Sequence, residues 1–141
     1  MMRFKPTHAI LFAAAVLTYF GSIEKCSATE LSGCWSGYWV SCTNGHKGPL
    51  NATFTRIDDT HYRAKFSGRF WKVFPFRYSV TLRVVEEGDV VRLAGSSYLG
   101  RIMGTFYYHA EATSCDFSAT YNSCKDNGKW VLSRNCASGC K

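Results

Sequence analysis

The residues of this chain able to do chemistry are its cysteines, its histidines, two pairs of acids, and a set of cations placed beside aromatic rings. Beyond residue 28 the histidines are His46, in a predicted loop, and His61 and His109, on outward strand faces. No histidine or cysteine spacing fits a zinc site better than it fits disulfides, and no serine stands on the strand-to-helix elbow that a serine nucleophile needs. Asp58-Asp59 and Glu86-Glu87 fall in tight turns, where carboxylates serve local turn geometry. The sequence therefore offers no catalytic set, no metal site and no call for a cofactor. What remains is binding chemistry: Trp71, Phe74 and Tyr98 lie in loops that also carry Lys47, Lys72 and Arg101. The rings supply contact area and the cations attract negative charge, which suits a small amphipathic or acidic ligand.

Six cysteines follow residue 28: Cys34, Cys42, Cys115, Cys124, Cys136 and Cys140. An even set in an exported chain favours disulfides over free thiols. Cys34 and Cys42 sit eight residues apart on one predicted strand, about 26 Å when extended, whereas bridged α-carbons lie within about 7 Å. They should not pair with each other. The predicted topology brings Cys42 and Cys124 to the same end, so a bridge between them is expected. The pairing of Cys34, Cys115, Cys136 and Cys140 stays open.

These side chains need a frame, and the hydropathy pattern supplies one. Strands are predicted over 33–42, 49–57, 61–70, 75–86, 89–96, 101–112, 115–124 and 128–134, separated by turn residues such as Asn44-Gly45 and Glu87-Gly88-Asp89. In the third, Tyr62, Ala64, Phe66, Gly68 and Phe70 share one face while His61, Arg63, Lys65, Ser67 and Arg69 share the other, the period-2 signature of a half-buried strand. One-sided strands with no helix to cover them bury their apolar face by curling into a closed sheet, which also removes exposed edges. The expected fold is all-β: a single antiparallel up-and-down barrel of about eight strands, disulfide-stabilised. Small inward residues, among them Gly68, Gly95, Ala110 and Ala119, fit strong curvature, a hollow centre, or both.

Arg3 and Lys5 precede the apolar run 9–20, and a small-residue stretch ends at Ala28. Twelve residues are too few to span a bilayer, which takes about 20, so residues 1–28 read as a cleaved signal peptide and 29–141 as one barrel domain. The mature chain then has no transmembrane segment and is expected to be secreted or periplasmic. It carries 14 Lys and Arg against 9 Asp and Glu, a moderate basicity that attracts acidic surfaces and anionic ligands without naming one. Asn51-Ala52-Thr53 fits the N-glycosylation acceptor pattern, which matters only in an organism that glycosylates exported chains.

Leu31-Ser32-Gly33-Cys34-Trp35 resembles the Gly-x-Trp opening of the calycin barrels, the lipocalin and avidin families. The resemblance implies that Trp35 closes one barrel end, with an arginine late in the last strand packed over it, and Arg134 stands in that place. It also implies a habit of binding small molecules or proteins.

In an eight-strand meander alternate connections share an end. One end then carries the polar turns, and the other carries the longer loops with His46, Lys47, Trp71, Lys72, Phe74, Tyr98 and Arg101. The main expectation is a non-catalytic exported binding protein that captures a small ligand in its cavity or at this mouth. The competing reading folds the same aromatics inward as a lid on the core. A protein-binding barrel, such as an exported hydrolase inhibitor, is the second class. A third is adhesion to a polyanion or the cell envelope through Arg63, Lys65, Arg69, Arg77, Arg83 and Arg92, all predicted to face outward. Specific nucleic-acid binding is not expected, because the aromatics of those strands point inward and cannot stack on bases. Plain solubility is the simplest account of that stripe.

Overall fold

Alternating side chains become eight paired strands in the computed structural model, which describes residues 29–135. They are β1 (Gly33–Ser41), β2 (Lys47–Asp58), β3 (His61–Phe70), β4 (Phe74–Glu86), β5 (Val91–Tyr98), β6 (Thr105–Ala112), β7 (Asp116–Asn122) and β8 (Asn127–Arg134). Each pairs antiparallel with the next, and β8 pairs with β1 to close the barrel in chain order. The single departure from a pure meander is α1 (Gly100–Met103), one helical turn between β5 and β6, so β6 begins four residues later than its expected start. The expected signal peptide at 1–28, and Cys136 and Cys140, lie outside the described residues. Among the described residues no helix is long and apolar enough to cross a membrane.

The registers explain why this pattern closes. Tyr62, Ala64 and Phe66 of β3 lie opposite Leu82, Val80 and Tyr78 of β4, and all six side chains turn toward the interior. Glycine permits the tightest approaches: a Cβ at Gly37 would collide with the Val131 carbonyl oxygen across the β1–β8 seam. At Gly68 the ring of Phe76 lies over the space that a side chain would fill. Curvature, rather than a hollow centre, is therefore what the inward glycines provide.

Rings fill the interior. Trp130, 4% exposed, has ring centroids of Phe66 at 4.5 Å, Tyr108 at 4.8 Å, Tyr121 at 5.7 Å and Tyr78 at 6.2 Å. Below them Trp35 meets Phe54 at 5.8 Å and Phe117 at 6.3 Å, both edge-on, the geometry that aromatic quadrupoles favour.

At that lower end the guanidinium of Arg134 sits 4.5 Å from the centre of the Trp35 ring. It donates to the carbonyls of Ser114 and Ser32 at 2.7 Å each, and to that of Glu30. Trp35 in turn donates its Nε1–H to the Leu31 carbonyl at 3.0 Å. Gly33 takes a φ of +125°, and a Cβ there would stand 3.3 Å from Arg134 Nη1. One planar cation thereby ties the segment before β1, the β6–β7 turn and the end of β8 into a plug.

The expected bridge between Cys42 and Cys124 is corrected: both are free, exposed thiols. Ser41 of β1 and Tyr121 of β7 both lie opposite Gly128 of β8. Cys42 continues β1, donating its N–H to the Asn127 carbonyl at 2.8 Å, whereas Cys124 lies in the β7–β8 turn with its Sγ beside Gly104, in the β5–β6 connection rather than on β1. Cys115 is also free and exposed. Cys34 is disulfide-bonded, and not to any of these three.

Arg134→Lys keeps the charge but not the planar fork that reaches three carbonyls. Urea unfolding should show a loss of about 3 kcal/mol; a change under about 0.5 kcal/mol would mean the plug contributes little.

Candidate functional site

The end opposite the plug is built from the β1–β2, β3–β4, β5–β6 and β7–β8 connections. At the β3–β4 tip, Val73 N–H closes a turn onto the Phe70 carbonyl at 3.1 Å. Its two central residues, Trp71 and Lys72, have φ of 46° and 63°. Such hairpin turns call for Asn-Gly, because side chains crowd the backbone at positive φ. A tip built from Trp-Lys is strained by about 1–3 kcal/mol per residue, and such strain collects at functional positions.

Strain presents Trp71 outward, 67% exposed. Its ring lies edge-on to Phe74 at 6.0 Å and to His46 at 5.8 Å, and its Nε1–H donates to His46 Nδ1 at 3.2 Å. The two neighbouring loops thus brace each other. Across the mouth, Gly100 and Gly104 with φ of 88° and 74° bracket α1 and turn the chain out and back. That turn projects Ile102, at 83% the most exposed large apolar residue among the described residues, and Tyr98 before it is 65% exposed. Leu99 packs against the core from above.

Sequence reasoning places Trp71, Phe74, Tyr98, Lys47, Lys72 and Arg101 together, and all six lie exposed at this end. The rings do not fold down as a lid; Leu99 and Met103 cover the barrel instead. Val73, Ile102 and Phe70 join the apolar rim, which loop composition alone did not single out.

Charge is segregated along the barrel axis. Of the nine carboxylates among the described residues, eight belong to the segment before β1 or to the far end's turns and strand ends; Asp126 alone stands at the mouth. Asp126 is already engaged, accepting from Ser41 Oγ at 2.6 Å and Tyr121 Oη at 3.1 Å. Lys47, Lys72 and Arg101 make no ion pair among the described residues. This asymmetry was readable in the sequence once the strand ends were sorted by end: apart from Glu30 before β1, the far-end acids cluster at or beside the second, fourth and sixth connections.

Beneath the rim a cavity of about 70 Å³ opens between Trp39, Phe76, Tyr78, Phe106 and Trp130. Drug-sized ligands need about 300–1,000 Å³, so the interior admits one small group at most. Its polar atoms are spoken for: Tyr108 and Ser97 share a hydrogen bond of 2.9 Å, and among the described residues no buried side-chain polar atom lacks a partner. Burial drives the Tyr78 phenol far above its ordinary value of 10.0, with the Tyr108 and Tyr121 phenols adding to the effect. Burial likewise raises Tyr121, reinforced by the Asp126 carboxylate.

Other features resolve into local structure. A groove of about 550 Å³ crosses the outer wall of β5–β8, lined among others by Arg92, Glu111 and Lys129; there Arg92 is taken up by Glu111 at 3.1 Å and Glu86 at 2.7 Å. Asp58 is held at a pKa of about 2 by the Thr60 backbone N–H and by His61, whose Nδ1 lies 2.9 Å away; it shapes the β2–β3 turn. Among the described residues no three His, Cys, Asp or Glu side chains gather where a metal ion would sit. No family model, no curated protein and no solved structure matches this chain.

The raised phenols set an alkaline limit on stability. A group whose folded pKa lies above its unfolded value contributes fully below the unfolded value, and the contribution is lost as pH rises past it. Stability should fall above about pH 10, with the buried phenolate absorbance appearing only as the barrel unfolds. Tyr78→Phe should soften that decline; an unchanged alkaline transition would contradict the assignment.

Proposed function

We propose that this protein is an exported, non-catalytic, calycin-like binding module whose working surface is its mouth, and that it takes an amphipathic ligand with an acidic head. The observation that carries the reading is the coincidence, at one end, of the exposed apolar rim with unpaired Lys47, Lys72 and Arg101, while every carboxylate among the described residues but the engaged Asp126 sits toward the other end. Apolar surface of this kind costs solubility unless a partner covers it. Trp71, Phe74, Tyr98 and Ile102 offer rings and an aliphatic side chain to the apolar part of such a ligand. Lys72 and Arg101 reach its acidic head, and the small cup beneath accepts only its tip. The ligand therefore lies across the rim rather than inside the barrel.

A fluorescent long-chain fatty acid and the alcohol of the same length serve as probes. The acid should bind about tenfold more tightly than the alcohol, a difference of about 1.4 kcal/mol, and Lys72→Gln with Arg101→Gln should erase that preference. Trp71→Ala with Tyr98→Ala should weaken both probes at least about tenfold while leaving the urea midpoint nearly unchanged, since neither side chain is buried. Equal capture by that variant and the natural chain overturns the reading.

The strained tip gives a separate test. Trp71→Asn with Lys72→Gly supplies the residues the turn prefers and should stabilise the barrel by about 1–2 kcal/mol, while the fatty acid is no longer held. A drop in stability would show that the Trp71 contacts outweigh the strain.

A further inference from the structure

We propose that the outer wall of β2–β4 is a second binding site, separate from the mouth, and that it holds a linear sulfated polysaccharide. Outward along β3 stand Arg63, Lys65 and Arg69, and along β4 stand Arg77 and Arg83. None of the five makes an ion pair among the described residues. Arg92, which the sequence places in the same stripe, does not belong to it, because Glu86 and Glu111 already neutralise it.

The registers give the wall its pattern. Arg63 lies opposite Thr81, Lys65 opposite Ser79 and Arg77 opposite Ser67, while Thr53 of β2 flanks Lys65 on its other side. Across the strands each of these three cations therefore faces a hydroxyl, while along β3 Arg63 and Lys65 occupy successive outward positions. They stand about 6.6 Å apart along a strand and about 4.8 Å between strands, and a concavity of about 470 Å³ lies among Thr53, Lys65, Ser67, Arg77 and Ser79. A surface that serves only solubility intersperses both signs of charge; apart from Asp58 and Glu86 at their far ends, these three strands carry no acid. The field is almost entirely hydrogen-bond donors and positive charge, complementary to a polymer rich in anionic acceptors. Hydroxyls between the cations match sugar oxygens as well as sulfate. No Phe, Tyr or Trp stands among the outward residues from Arg63 to Arg69 or from Arg77 to Arg83, and the exposed Phe70 and Phe74 lie at the mouth end of these strands, so bases would find nothing to stack on along the wall.

Heparin is the probe, with binding measured across a salt series. The natural chain should bind with an affinity that falls steeply with salt. Lys65→Gln with Arg77→Gln should lower the slope of log affinity against log salt by roughly two, about one per cation lost, and weaken binding at low salt at least about tenfold. Lys125→Gln with Lys129→Gln removes the same charge at the β7–β8 turn and on β8, across the barrel, and should shift affinity less than about threefold. Circular dichroism checks that both variants are folded. Three results overturn the proposal: no heparin binding, equal losses in the two double variants, or single-stranded DNA bound more tightly than heparin through Lys65 and Arg77. Trp71→Ala with Tyr98→Ala should bind heparin like the natural chain, so failure at the mouth and failure at the wall are told apart.

Discussion

Trp130 is the ring on which the upper barrel leans. Phe66, Tyr78, Tyr108 and Tyr121 come from four other strands, and each packs directly against it. Protein interiors are packed as densely as organic crystals, so a ring set of this size leaves almost no space. What space remains lies above Trp130, against Leu99 and Met103. An eight-strand barrel has room either for side chains or for one small ligand, and this chain has used it for side chains.

The two proposed binding surfaces accordingly lie on the outside. The rim and the wall differ in physics: the rim is apolar with a few unpaired cations, and the wall is cationic with hydroxyls and no rings. Interactions at the rim depend on covered apolar area and tolerate salt, whereas those on the wall are screened over about 8–10 Å at ordinary ionic strength. The left-handed turn at Trp71 and Lys72 belongs with the first. A hairpin tip held in one conformation loses little further entropy on binding, and the strain is the cost of showing an indole to solvent.

The fold was legible because period 2 is a strong signal wherever one face is buried. His61 to Phe70 segregates completely in the sequence, and the barrel buries Tyr62, Ala64 and Phe66 while exposing Arg63, Lys65 and Arg69; Phe70, at the strand end, emerges onto the rim. The ends of the barrel were legible too, since alternate connections must coincide. The cysteines misled: counting an even set favours pairing, but pairing depends on distances through space, and Cys124 sits in the β7–β8 turn with its Sγ beside Gly104. Two features of the rim escaped for different reasons. The turn strain is a property of φ that residue identity does not display, and α1 is too short to leave a helical period in the sequence. The neutralisation of Arg92 needed the register, because Glu86 and Glu111 are distant from it along the chain or across a turn.

Arg134 also settles where the two extremities of the described chain emerge. Its guanidinium grips the carbonyls of Glu30 and Ser32, and the next residue, Asn135, donates its N–H to the Cys34 carbonyl at 2.9 Å. Both therefore leave through the base of the cup. Anything attached there, whether a support, a label or a second folded unit, would hold the molecule by its foot, with its opening presented freely to the surroundings.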